Sequence, residues 1–138
     1  MRNLTQFNQQ VLQCQDDAFT LAWYLLGDEA AAEAAVQAAV QAAFRRNSGG
    51  QAGCNVLVLS QVIQRCCGKL PANALPQNGV YPRLLAALPE QERQAVILVD
   101  ILNIRYSEAS AILHRPVKEV ARLVAQARTK MARAYAQG

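Results

Sequence analysis

Six basic side chains crowd one short stretch near the end of this sequence: Arg115, Lys118, Arg122, Arg128, Lys130 and Arg133. Glu119 is the one acidic residue among them. A local excess of this kind suits a polyanion such as a phosphate backbone. Arg122 and Gln126 stand one helical turn apart and can meet base edges together, whereas Lys118 is better placed for a phosphate. Glu119 would oppose phosphate unless it accepts a hydrogen bond from a cytosine amine. Toward Arg128, Lys130 and Arg133 the charge is densest, and there phosphate is the better partner. The candidate DNA-contacting set is therefore Arg115, Lys118, Glu119, Arg122, Gln126, Arg128 and Lys130.

The elements that must position this set are legible around it. Periodicity predicts a helix from about Ser107 to Leu113, a three-residue turn at His114-Arg115-Pro116, and a long helix from Val117 to about Tyr135. Val117, Val120, Val124, Ala127 and Met131 form its expected apolar stripe. Two helices joined by so short a connection are a helix-turn-helix, and the basic residues fall on the helix that would enter the major groove. A short helix at Pro82–Ala87 and a longer one from Pro89 to about Leu102 precede it. Proline is tolerated in a first helical turn, Glu90 and Glu92 suit the positive end of the dipole, and Asn103 is a good left-handed C-cap.

Upstream, Leu4 to Leu26 carries apolar residues at steps of three and four, and Gly27 ends that helix. Asp28 and Glu29 favour a new helix N-terminus, and Ala30 to Phe44 then contains nine alanines. A third helix spans Cys54 to Cys67, with Val58, Leu59, Val62, Ile63 and Cys66 available for a core. Two breaker-rich stretches divide the chain, Asn47–Gly53 and Leu70–Gly79. The second is the better interdomain linker. The expected organisation is all-α: a three-helix domain at 1–69, a linker at 70–81, and a helix-turn-helix domain at 82–138.

Composition supports a small helical protein and excludes several functions. Hydrophobic residues make up 52% of the 138 residues but aromatics 6%, so aliphatic side chains must fill the core. Residues 1–70 carry five basic and five acidic side chains, and residues 71–138 carry nine and five. The whole net charge of +4 thus falls in the second half. No apolar run approaches the roughly 18 residues of a membrane span, and the start, MRNLTQFNQQ, has no apolar signal segment. A soluble cytoplasmic protein is expected. Cys14, Cys54, Cys66 and Cys67 form no C-x-x-C pair and His114 is the single histidine, so no metal site is expected. No glycine-rich phosphate loop and no nucleophile–base arrangement points to an enzyme, a cofactor or a small-molecule substrate.

The second half resembles region 4 of the extracytoplasmic-function sigma factors of bacterial RNA polymerase. Leu88-Pro89, Arg93, Val96-Ile97-Leu98, Asp100, Tyr106, Glu108, Ile112-Leu113, Val117 and Val120 carry that resemblance, with Ala127 to Met131 as the basic tail. The first half is similar to region 2 of the same family through Leu25-Leu26-Gly27-Asp28, Ala32-Glu33 and Val36-Gln37. The resemblance implies core RNA polymerase, promoter DNA and an anti-sigma protein as partners. It also implies that region 2 holds the polymerase clamp and melts the −10 element while region 4 reads the −35 element. Asp28, Glu29, Glu33 and Gln37 become the candidate polymerase contacts.

Several positions depart from the family pattern. Ala31, Ala34 and Ala38 stand where acidic residues are usual, and Cys54 to Lys69 has no aromatic side chain, with Arg65 and Lys69 its basic residues. Strand opening needs groups that stack on flipped bases and pair with phosphates. Val99, Leu102 and Leu123 place apolar groups where the family is commonly polar, a pattern that can form a protein-binding patch. The alternative is a sigma-like protein that acts through protein contact, as a sigma mimic, an anti-sigma partner or an assembly subunit, without opening the promoter.

Overall fold

Gly27 takes a left-handed conformation (φ 73°) that a side chain would disfavour, and there the chain turns from its first helix into its second. In the computed structural model, which describes residues 4–46, 54–67 and 80–137, every regular element is helical. The first half supplies α1 (Leu4–Leu26), α2 (Glu29–Arg46) and α3 (Cys54–Cys66). The second supplies α4 (Val80–Ala86), α5 (Glu90–Val96) with a π-helical continuation at Ile97–Ile101, α6 (Tyr106–Leu113) and α7 (Val117–Gln137). The all-α expectation holds. The breaker stretch at 47–53 and residues 70–79 of the expected linker lie outside the described residues. The helix expected from Pro82 begins two residues earlier, at Val80.

α1, α2 and α3 pack against one another, each on both of the others. Asp28 starts α2 as foreseen: its Oδ2 accepts the Ala31 backbone N–H at 2.9 Å, satisfying one of the open donors of the first turn. Ala32, Ala39 and Ala43 are buried along the inner face of α2, and side chains this small let neighbouring backbones approach closely. α1 contributes Leu21 and Leu25, and α3 contributes Val58, Leu59 and Val62, all fully buried. Each of these aliphatic side chains contributes about 2 kcal/mol of transfer free energy.

In the second half α5 and α6 lean on α7, whose buried stripe is Val120, Leu123, Val124, Ala127 and Met131. Two expectations change here. Val117 is 47% exposed and leaves the stripe, while Leu123, expected on the surface, is 3% exposed and joins it. Val99 and Leu102 are half-buried against the core. These three residues therefore form no exposed apolar patch. The helix expected from Pro89 to Leu102 changes its pitch after Val96, with the Leu102 N–H reaching back five residues to the Ile97 carbonyl at 3.0 Å. Asn103 (φ 57°) then caps it in the left-handed conformation, as its type allows.

The two halves are in contact. α3 packs on α6, and α1 touches α4 and the π-helical stretch, so one hydrophobic core runs through both. At this junction Ser60 Oγ lies 3.4 Å from His114 Nε2, and the Cys67 thiol donates to Glu90 Oε2 at 3.4 Å.

Candidate functional site: the outer face of the last helix

The turn before α7 is built by three local features. His114 ends α6 with φ 56° and ψ 45°, a left-handed cap where glycine would be the unstrained choice. The Arg115 N–H donates to the Ser110 carbonyl at 3.1 Å, and the Ser110 hydroxyl donates to the Arg115 carbonyl, which locks the turn from both sides. Pro116 supplies the carbonyl that accepts from Val120 N–H at 3.1 Å, so α7 starts in a fixed direction. Because the buried stripe holds one side of α7, Lys118, Ala121, Arg122, Ala125, Gln126, Arg128, Thr129 and Lys130 are all exposed on the other.

All seven candidate DNA-contacting residues lie on or just before this helix, with Arg115 and Glu119 partly covered and the other five exposed. Most of their charges already have partners. Glu119 accepts Arg122 Nη2 at 2.5 Å and Nε at 3.3 Å, and Arg115 Nη1 stands 3.7 Å from its Oε1. The hydrogen bond from Arg122, aided by the charges of both arginines, holds the Glu119 carboxyl below its ordinary pKa. Arg128 donates through Nε and Nη2 to the two oxygens of Asp100, at 2.9 and 2.5 Å. Lys130 Nζ donates at 2.8 Å to Glu92 Oε2, whose side chain is 8% exposed. Lys118 and Arg133 are exposed and have no ion pair among the described residues.

The electrostatics of the face therefore differ from the sequence expectation. Counting along α7 sets six basic side chains against Glu119 alone. In the folded protein Asp100 and Glu92 reach across from the α5 segment, so six basic groups face three carboxylates. No local spacing could have found these partners, which lie 28 and 38 positions from Arg128 and Lys130.

The candidate polymerase contacts occupy a different helix. Glu29, Glu33 and Gln37 follow one another at four-residue steps along the exposed side of α2, and Asp28, also exposed, caps its N-terminus. These residues form one row, set apart in sequence and in element from the α7 face. The exposed positions between them include Ala30 and Ala34, so the row is thinly charged.

Neither face holds the makings of a metal centre, for no group of three or more His, Cys, Asp or Glu side chains that could hold an ion occurs among the described residues. No helix among them is long and apolar enough to cross a membrane.

Residues 80–131 match the family model for region 4 of sigma-70. The matched span runs from the start of α4 to Met131 and takes in the whole helix-turn-helix and all seven candidate DNA contacts. No curated protein matches the chain. Among solved structures the chain is similar to the sigma factor RpoE from Bartonella quintana, determined in complex with the anti-sigma factor NepR. The TM-score is 0.71 and the identity 18%, over 93% of this chain and 95% of that one. At that identity the likeness is one of fold, and it extends over both halves. Residues 80–131 are thus similar to sigma-70 region 4, and the fold of both halves together is similar to that of a sigma factor.

Proposed function

We propose that this protein binds core RNA polymerase and directs it to promoter DNA, with α7 as the reader of the upstream element. The observation that carries the reading is the exposed face of α7, set on a locked helix-turn-helix inside the matched region 4 span. Lys118 and Arg133 would contact phosphate, and Arg122 with Gln126 would meet base edges. The row of Glu29, Glu33 and Gln37, with Asp28, is the proposed polymerase contact. The halves 1–69 and 82–138 act as the two functional domains, joined through 70–81. The protein would work in the cytoplasm, beside its polymerase, without enzymatic activity of its own.

The test is a pull-down from cell extract with the full chain, followed by transcription with the recovered polymerase. Recovery of polymerase subunits and specific transcripts supports the proposal. A chain that captures no polymerase sinks it.

A second reading is favoured by two observations. α3, which would have to open the DNA strands, has no aromatic residue among its thirteen and packs against α6. The structural neighbour was determined with an anti-sigma factor bound. On this reading the protein acts by engaging an anti-sigma protein or by mimicking a sigma factor, and the same pull-down would recover a small partner instead of polymerase.

A further inference from the structure

We infer that Glu119 is a positioning residue that presents Arg122 end-on to a guanine. The inference rests on the proposal that α7 reads promoter DNA, and it names the base and the device that selects it.

The argument starts from the donors of a guanidinium. It has five N–H groups: one on Nε and two on each Nη. Glu119 takes the side of the fork, one N–H from Nε at 3.3 Å and one from Nη2 at 2.5 Å. What remains is the second N–H of Nη2 and both of Nη1, which is the end of the fork. Two parallel donors at that end match the N7 and O6 acceptors of guanine in the major groove. Arg122 is 52% exposed and flanked along α7 by Ala121 and Ala125, both exposed, so little stands between that end and a ligand.

The carboxylate is already engaged at both oxygens. Both of its oxygens accept from Arg122, and Arg115 approaches Oε1 at 3.7 Å from the turn. Glu119 is thus screened by two cations instead of facing phosphate bare. A direct contact from Glu119 to cytosine would have to share an oxygen that Arg122 already uses. An arginine held on one side by a carboxylate also loses less rotamer freedom on binding, which favours the correct base over a loosely placed alternative. Arg115 helps to place the carboxylate, and Gln126, one turn beyond Arg122, is free to meet the neighbouring base pair.

The experiment uses the full chain bound to core polymerase and a pool of linear duplexes randomised over ten base pairs. The wild type should select a guanine at one position. Arg122→Ala should abolish preference at that position, and Glu119→Ala should weaken it roughly tenfold while leaving preferences elsewhere in place. Glu119→Gln, which keeps one oxygen acceptor, should fall between Glu119→Ala and the wild type. If Glu119→Ala keeps the guanine preference and only raises affinity for all sequences, the inference fails and Glu119 is an electrostatic brake. If Glu119→Ala instead loses a cytosine preference at another position, the inference also fails, since Glu119 then reads a base itself. A wild-type complex that selects no sequence overturns the DNA-reading proposal itself, which keeps the two failures distinct.

Discussion

Asp100 and Arg128 join the π-helical end of α5 to the middle of α7, with Nε and Nη2 of the arginine donating to the two oxygens of one carboxylate. The arginine side chain is 55% exposed and the aspartate 24%, so the pair lies at the edge of the proposed DNA-contacting face. A guanidinium engaged in this way offers less to a phosphate than its place in the sequence suggests. Asp100→Asn should therefore release positive charge toward DNA. Affinity for duplexes of any sequence should rise, and the slope of log affinity against log salt should steepen by up to about one. Stability should fall by about 0.5 kcal/mol, as for other exposed pairs. Binding titrations across a salt series would check the first effect, and urea unfolding the second.

Lys130 and Glu92 form the companion pair, and here burial is one-sided. The Glu92 carboxylate lies inside the α5–α7 contact with its Oε1 lacking a hydrogen-bond partner, while the lysine is half exposed. Removing the lysine strands a buried charge, so Lys130→Ala should destabilise the fold by roughly 1–3 kcal/mol. Replacing the acid with an apolar side chain of similar length removes the desolvation cost together with the pair. Glu92→Met should thus cost less than Lys130→Ala. Urea midpoints of the two variants decide the order, and a Glu92→Met protein weaker than Lys130→Ala would mark the ion pair as net stabilising.

The scaffold was readable from the sequence because its signals are local. Gly27 and Asn103 turn where their types allow a left-handed backbone, Asp28 caps α2, and the three-residue connection before α7 sits where the periodicity breaks. The structure departs from the sequence pattern where local and tertiary signals compete. Val117 and Leu123 are both apolar at plausible helical positions, and only the direction in which α5 and α6 lean on α7 decides that Leu123 is inside and Val117 outside. The π-helical turn has no periodic signature, and the long-range carboxylates Asp100 and Glu92 could be assigned to Arg128 and Lys130 only after folding.

Cys67 is exposed, yet its thiol donates to the Glu90 carboxylate. That hydrogen bond favours the protonated form and, with partial desolvation and the carboxylate's charge, raises the pKa above the ordinary 9.0. A raised pKa in the folded state means that the contribution to stability is complete below 9.0. It is lost as pH rises through the higher folded value. Alkylation by iodoacetamide at pH 8 should accordingly be slower at Cys67 than at a model thiol, because the thiolate is the nucleophile. Glu90→Gln should speed it, and peptide mapping would separate Cys67 from its neighbour Cys66. A Cys67 that reacts as fast as the model thiol would show that the contact with Glu90 does not persist in solution.

The contact of α3 with α6 carries a consequence for the proposed promoter reading. A folded chain of 138 residues has a radius of gyration of about 14 Å, so its diameter is on the order of 40 Å. Promoter elements roughly 25 base pairs apart are separated by about 85 Å at 3.4 Å per base pair. With Ser60 beside His114 and Cys67 bound to Glu90, the two halves cannot reach both elements at once. Reading both therefore requires that α3 and α6 part. Fluorophores on unnatural amino acids at the exposed positions Arg45 and Ala136 would report this through energy transfer. Transfer should be efficient in the free protein and fall sharply when core polymerase and promoter are added. Unchanged transfer alongside specific transcripts would mean that the two halves stay together while the protein works, and that one of the two elements is not read by this chain.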